Sequence, residues 1–432
     1  MTAMTTAALM AACVAPPGAP QPATGTAGEG GTSAEQPVTL TMLSWHFNEE
    51  GLDLFETQFA PAFQESHPNV TFEFIATDTN RINDQLLTSF AAGQGPDLWE
   101  HGSSASGAGW AASGQALALD DYWATYERAD DYLENAVATA YLDGKLYSIP
   151  RMMNPDSLLY RKDFFAEAGL DPEVGPETWE EHLEMAQALT VRENGTVVRA
   201  GHAVPTQGFG GIQQGWWPFL HQNGAAILNE EMTEVAFDSP EGIEAIQWYH
   251  DLMWVHELDV LGGIATGLTG HPVNIGTAAM GYGGTSALIE AENNFPDIYE
   301  NHLGVFLSPS RVRRAALLAI DRIFVSKDGD TDASWAWLTF LHQPDNLTTR
   351  FQVQGHMPPT RSFIASDTVA GKPLLQQLLQ AAEVGVQWPP SPKWNEFRSF
   401  VPSMSEALMT DAGPVEPVVR QFAGEINAIL SS

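Results

Sequence analysis

Val38, Leu40 and Met42 alternate with Thr39 and Thr41, a period of two that predicts a strand with one buried face. The pattern breaks into HFNEEG, and Phe55, Phe59 and Phe63 then recur every four residues, which predicts one face of a helix ending near His67-Pro68. Val70, Phe72 and Phe74 alternate again as a second strand. Asn80 is placed to cap a further helix with Ile82, Leu86 and Phe90 on its inner face, Gly93 closes it, and GQGPDLWEH supplies a third strand. Strand, helix, strand, helix, strand is the rhythm of an α/β lobe with a largely parallel sheet.

Around residues 141–170 the pattern changes within a few positions. An Asp143-Gly144 turn leads into a strand over 145–149, Pro150 stops it, polar and soft residues occupy 151–154, and a second strand over 157–160 precedes a helix signal. Further along, Thr178-Trp179-Glu180-Glu181 is a capping box for a helix to about Leu189. Ser239-Pro240-Glu241 starts another, with Ile243, Ile246 and Leu252 inward. GTAAMGYGG over 276–284 reads as a strand ending in glycines, and 317–326 as a hydrophobic strand. An amphipathic helix over 332–341, a Pro-rich loop over 354–362 and a last helix over 414–430 follow. There is no internal repeat.

A chain of 432 residues exceeds one ordinary core, so at least two lobes are expected. Its 54 acidic residues against 19 basic ones give a net charge of −35, which excludes nucleic acid as a partner because phosphate contacts need a basic face. Such a surface serves solubility, and suits a salty or acidic medium or a cationic ligand. The single cysteine, Cys13, rules out an intramolecular disulfide. It ends the run MTAMTTAALMAAC, which resembles a bacterial lipobox, with Met10 where Leu is usual and with no Lys or Arg before Arg81. Residues 14–37 are rich in Pro, Gly, Ala, Ser and Thr and lack an apolar period, as a flexible tether does. A lipidated Cys13 on that tether would leash a folded domain to a membrane surface.

Catalytic and metal motifs fail at named positions. Gly208-Phe209-Gly210-Gly211-Ile212-Gln213 lacks the last glycine of a dinucleotide loop. Asp328, Asp330 and Asp332 have calcium-loop spacing, but Ala333 and Thr339 stand where Gly and Glu are required. His256-Glu257 has no second His at zincin spacing, and no nucleophile elbow occurs. No catalytic residue, metal or cofactor is expected. Paired carboxylates keep a secreted glycosidase as a rival.

Large aromatics stand instead at predicted strand ends and in loops: Trp45, Trp99, Trp216, Trp217, Tyr282 and Trp388. Ligands of open α/β sheets bind at such places. Aromatic faces suit the C–H face of a sugar ring, with hydroxyls taken by His46, Asn48, Glu100, Arg151 and Asn154.

The ordered set of motifs resembles the extracellular solute-binding proteins of family 1, the sugar-binding receptors of ABC importers related to maltose-binding protein. The residues are Asp143-Gly-Lys-Leu-Tyr-Ser-Ile-Pro150, Leu158-Leu-Tyr-Arg-Lys-Asp-Phe-Phe165 with Gly169-Leu-Asp171, Thr178-Trp-Glu-Glu181, Gly276-Thr-Ala-Ala-Met-Gly281, Ile323-Phe-Val-Ser-Lys327 with 333–341, and Gly355-His-Met-Pro-Pro359. Similarity runs from about Val38 to the C-terminus. Arg161 departs from the family's Asn, and Gly281-Tyr282-Gly283-Gly284 from its Gly-x-Trp.

The resemblance implies an α/β, two-lobed periplasmic-binding-protein fold of type II. Each lobe would be a mixed, mostly parallel sheet flanked by helices, with the ligand cleft between. It implies a leader over 1–13, a linker over 14–37, a first lobe of 37–150 plus 283–330, and a second of 151–282 plus 331–432, with 151–154 on the hinge floor and later crossings near Tyr282 and Asp330. The implied function is to capture a mono- or oligosaccharide by hinge closure and deliver it to an ABC permease, without catalysis, as a monomer anchored outside the cytoplasm through Cys13. The implied ligand-binding set is Trp45, His46, Asn48, Trp99, Glu100, Arg151, Asn154, Trp216, Trp217, Tyr282, Gly284, His356 and Trp388. A polyamine, a peptide or a glycerol-phosphate-type solute on the same scaffold is the alternative.

Overall fold

A computed structural model describes residues 36–78, 81–102, 104–207 and 211–432, with the side chains of 104–106 excepted. Cys13, most of the tether, the Asn80 cap and Gly208-Phe209-Gly210 lie outside the described residues. Residues 37–432 form one compact unit. In chain order its strands are β1 Val38–Ser44, β2 Val70–Ala76, β3 Leu98–Gly102, β4 Tyr141–Leu142, β5 Lys145–Leu146, β6 Ile149–Pro155, β7 Ser157–Arg161, β8 Val191–Glu193, β9 Thr196–His202, β10 Ala278–Gly283, β11 Leu303–Phe306, β12 Ala316–Val325 and β13 Gly385–Val386.

Two sheets build two lobes. The first runs β13-β12-β3-β1-β2, with β6 also paired to β12, and the second runs β11-β7-β10-β9-β8. β1 pairs with β2 and β3 in parallel, as the alternating apolar runs predict. β12 is antiparallel to both β3 and β6. In the second sheet only β9 and β10 are parallel, while β7 is antiparallel to β10 and β11 and β8 turns back on β9. That sheet is therefore mixed with mostly antiparallel pairs. A parallel neighbour needs a long crossover, and the short β8–β9 connection forces a hairpin instead.

Local signals act where the sequence places them. Asp143 and Gly144 both take positive φ, 50° and 75°, and close the two-residue turn between β4 and β5. Thr178 accepts a hydrogen bond from Glu181 N at 3.2 Å, and Ser239 accepts from Gly242 N at 3.2 Å, so both caps start their helices. Asp330, one of the three acids with calcium-loop spacing, caps the helix Thr331–Leu341 by accepting from Ala333 N at 3.0 Å. Arg161 binds Asp163 through two nitrogens at 2.9 and 2.7 Å and lies over the Phe164 ring, which gives the departure from the family's Asn a packing role.

The expected lobe boundaries shift. β11, within the stretch assigned to the first lobe, pairs with β7 in the second sheet. The chain returns to the first sheet only between Phe306 and Ala316, not near Tyr282. The helix Thr331–Leu341, assigned to the second lobe, buries Trp337, Leu338 and Leu341 in the first-lobe core with Phe55, Phe59 and Phe63. Its apolar stripe faces a cluster of rings in which Trp337 lies 5.2 Å from Phe63 and 4.4 Å from Phe72. Trp388 and Trp394 join the second-lobe core, so the late crossing sits near β13 rather than at Asp330.

Trp337→Ala should therefore weaken the first lobe, at a cost of about 3–5 kcal/mol for loss of a fully buried tryptophan. Urea unfolding followed by circular dichroism checks this; an unchanged midpoint would place the helix outside that core.

Candidate ligand cleft

β6 and β7 are separated by one residue, Asp156. Asp156 N donates to Leu317 O of β12 at 2.8 Å, and Ser157 Oγ donates to Phe306 O at the end of β11 at 2.6 Å. The first crossing between lobes is thereby held to the second. The carboxyl ends of β1 and β3 on one side, and of β9 and β10 on the other, open near this crossing, which is where open α/β sheets bind ligands.

On the first-lobe side, Trp45 and His46 follow β1. His46 Nε2 lies 2.6 Å from Asp321 Oδ2 of β12, and the Trp45 indole N–H donates to the same carboxylate at 3.3 Å. A methyl group on Gly102 would lie 2.6 Å from Asp321 Oδ1 and 2.9 Å from the Trp45 ring, so glycine at the end of β3 is what lets these groups approach.

Below them lies a buried charge network. The β6–β12 register skips Arg151, with Asp321 opposite Met152 and Arg322 opposite Pro150. Such a bulge re-aims a side chain. Arg151 enters the space between Glu100, at 3.3 Å, and Asp321, at 3.6 Å, and its Nη1 donates to His356 Nδ1 at 2.8 Å. Arg350 donates to Glu100 Oε1 at 2.7 Å, and Ser44 Oγ to Glu100 Oε2 at 2.5 Å. Burial alone would raise the Glu100 carboxyl, but Arg151 and Arg350 hold it well below the usual range. Burial and then the neighbouring charges push His356 down, so both arginines face a neutral imidazole.

At the crossing, Asn154 Nδ2 donates to Asp156 Oδ1 at 3.0 Å, and Gln214 supplies a second side-chain hydrogen bond. Gly284 lies directly against this pair: a methyl group there would lie 2.4 Å from Asn154 Nδ2 and 2.5 Å from Asp156 Oδ1. Burial pushes the Asp156 carboxyl up to about 7. A cavity of about 310 Å³ opens at the ends of β9 and β10, lined by Thr206, Gln207, Gln214, Asp259, His271 and Tyr282 among others. A second, of about 220 Å³, lies between Trp45, His46, Glu290, Asn293, Gln354 and His356.

The structure sorts the expected binding residues. Trp45, His46 and His356 line the smaller cavity, Tyr282 lines the larger, and Asn154 and Gly284 meet at the crossing. Asn48 also lines the smaller cavity, while its side chain caps the helix Glu49–Leu54 by accepting from Gly51 N at 2.9 Å. Trp99, Trp216 and Trp217 are fully buried and Trp388 nearly so. Trp99 stacks on Phe324, and Trp217 packs against Trp388 at 4.2 Å. Tyr282, although it borders the larger cavity, is 2% exposed, with its ring against Phe219 and His202 and its hydroxyl accepting from Gln222. This corrects five of the expected stacking platforms, since a ring packed on all sides offers no face to a ligand. Glu100 and Arg151 belong to the charge network and carry no exposed surface to speak of, at 0% and 2%. Sequence reasoning missed Asp156, Gln214, Asp259, Asp321 and Arg350. Asp156 stands two residues past Asn154 in the same crossing and was within reach of the argument; the others come together only through pairing and helix packing.

The model of the bacterial extracellular solute-binding protein family matches residues 49–347. The chain belongs to that family. An arabinooligosaccharide-binding protein of Halalkalibacterium halodurans is 26% identical over 220 residues, a match that spans 50% of this chain and 46% of that relative. The sn-glycerol-3-phosphate-binding periplasmic protein of Escherichia coli is 23% identical over 359 residues, covering 76% of each. The crystal structure of an ABC transporter solute-binding protein from Thermotoga lettingae, bound with α-D-tagatose, superposes with a TM-score of 0.77 at 23% identity, covering 92% of this chain and 100% of the other. That likeness establishes the two-lobed fold. No helix among the described residues is long and apolar enough to cross a membrane.

The Asp156 carboxyl makes a pH prediction. In the unfolded chain it ionises near its ordinary value of 3.8, in the folded protein only at about 7, so the fold holds an extra proton between the two. Stability is then lost as pH rises through that window. In Asp156→Asn this loss is absent, so the melting temperature of the variant relative to the parent should rise from about pH 4 to about pH 7 and level off above. A flat difference across that range would contradict the burial of an unpaired carboxyl.

Proposed function

We propose that this protein is the receptor of an ABC importer, which captures a carbohydrate in the cleft between its lobes and presents it to a membrane permease. The observation that carries this reading is the crossing itself: an aromatic face at Trp45, hydrogen-bonding groups from Asn154 and Gln214, and the carboxyl ends of strands from both sheets lie beside a one-residue joint. Side chains of that kind match a ring with an apolar face and hydroxyls at its rim. The arabinooligosaccharide-binding relative and the tagatose-bound neighbour support the same reading.

In this reading the ligand docks on one lobe, the strands 149–161 bend at their joint, and the lobes close around it. Closure is stabilised only by the ligand's preference for the closed form over the open one. His46, Gly284 and His356 complete the proposed contact set. Lipidation of Cys13 would hold the receptor on the outer membrane surface by the tether 14–37. No bond is made or broken.

Titration of the full chain with mono- and oligosaccharides, followed by tryptophan fluorescence and melting temperature, tests this. A bound sugar raises the melting temperature by mass action and returns unchanged; a sugar that is consumed would make the protein an enzyme. Two variants separate site from core. Trp45→Ala should weaken binding about tenfold or more with little change in stability. Trp217→Ala should instead destabilise by about 3–5 kcal/mol, because its ring is fully buried.

A further inference from the structure

The larger cavity carries a charge imbalance that a neutral sugar does not resolve. Asp259 lines its wall, where Oδ2 accepts from Val204 N at 2.9 Å and Oδ1 from Val260 N at 2.8 Å. Gln214 lines the same wall and is hydrogen-bonded to Asp156 behind it. Asp156 Oδ1 also accepts from Asn154 at 3.0 Å. Every donor to these two carboxyls is a neutral amide. Neither meets a Lys or Arg among the described residues, and no Lys or Arg lines either cavity.

The nearby histidine does not supply the charge. His271 Nε2 lies 2.9 Å from the Tyr282 carbonyl oxygen, so that nitrogen carries the proton, while Nδ1 accepts from Val273 N at 3.4 Å. Its ring is neutral, and burial lowers its pKa. The contrast within the same protein is direct: Glu100 and Asp321, buried as Asp156 is, are met by Arg151 and Arg350, while Asp259 is partly buried. Left without a cation, Asp156 is pushed up to about 7 and Asp259 up to about 6 by burial. The smaller cavity repeats the sign, with Glu50 and Glu290 on its wall. A surface with a net charge of −35 also draws cations toward the cleft from a distance.

We propose that the ligand is cationic, an amine-bearing sugar whose ammonium is received in the cavity between β9 and β10 by Asp259, with Asp156 behind Gln214. This rests on the reading of the cleft as a carbohydrate site and narrows its substrate class. An ammonium beside Asp259 supplies the countercharge that this carboxyl lacks, and Gln214 links it to Asp156. A neutral sugar leaves that carboxyl unpaired, and a phosphate or uronate is repelled.

The test is isothermal titration of the full chain with matched pairs: glucose and 6-amino-6-deoxyglucose, galactose and 6-amino-6-deoxygalactose, and cellobiose against the fully deacetylated glucosamine dimer, with spermidine and glucose 6-phosphate alongside. At about pH 6.5 an amino sugar should bind about tenfold or more tightly than its neutral partner and release protons, because pairing with a cation draws off the proton that a half-titrated carboxyl holds. Asp259→Asn should shrink the preference and the proton release while leaving the neutral partner's affinity within about threefold, and Asp156→Asn should shrink the proton release. A neutral sugar that binds as tightly as its amino form overturns the cation assignment and leaves the carbohydrate reading standing. Spermidine binding in the absence of any sugar binding does the reverse. Binding of glucose 6-phosphate, or no binding by any amine, overturns the cation assignment, as does an amino-sugar preference that survives both substitutions.

Discussion

One residue separates a strand of one sheet from a strand of the other, and most of the cleft's geometry follows from that constraint. β6 and β7 are nearly one continuous strand, so the register of each sheet is fixed by the same thirteen-residue stretch, 149–161. The backbone N–H of Asp156 is spent on Leu317 of β12, and the Ser157 hydroxyl on Phe306 of β11. These bonds bring the two crossings side by side. With Gly284 pressed against Asn154 and Asp156, β10 ends at the same point. Side chains from distant parts of the chain therefore converge because the crossing leaves them little alternative.

The charge network gives this joint a rigid base. Arg151 leaves β6 at a bulge, and the bulge turns its guanidinium inward toward Glu100 and Asp321. Breaking a buried pair by removing one partner leaves an uncompensated charge and costs about 3–5 kcal/mol, so β3, β6, β12 and the helix Pro344–Gln354 are held in one arrangement. In the proposed closure, bending falls on the residues beyond the network, at the crossing. Trp45 and His46 hang from the same network through Asp321, which ties the aromatic face of the cleft to the strands beneath the crossing.

Much of the fold was legible in the sequence because its signals are local. Alternation at 38–42 and 70–74, the capping side chains of Thr178 and Ser239, and the Asp143-Gly144 turn each depend on a few neighbours, and each forms as read. Lobe membership was not legible in the same way. The helix Thr331–Leu341 has an apolar stripe that would serve either lobe, and only the rings of Phe63 and Phe72 decide which one it covers. The expected aromatic platforms are buried for a related reason. Trp99 and Trp217 stand next to turns and glycines in sequence, but an indole reaches about 6 Å from its backbone and can be buried from a strand end as easily as exposed. Trp45 escapes that fate because Asp321 gives its N–H a partner at the cleft edge.

Burial by itself does not separate acids that serve the fold from acids that serve a ligand; the company they keep does. Glu100 is at 0% exposure, yet two guanidiniums and a hydroxyl complete its coordination, so no vacancy is left for another group. Asp156 is at 1%, and its donors are side-chain amides from Asn154 and Gln214, which satisfy hydrogen-bonding capacity without supplying charge. A chain that holds 19 basic residues against 54 acidic ones has few cations to place, and it spends two on the network under the hinge. Leaving a carboxyl uncharged in the ground state costs less than burying it ionised, but it also keeps that carboxyl ready for whatever brings a proton donor or a positive charge into the cleft. On the proposed reading, the stabilisation that Asp156 lacks in the free protein becomes available in the complex, which is how a buried group can favour closure around one class of ligand over another.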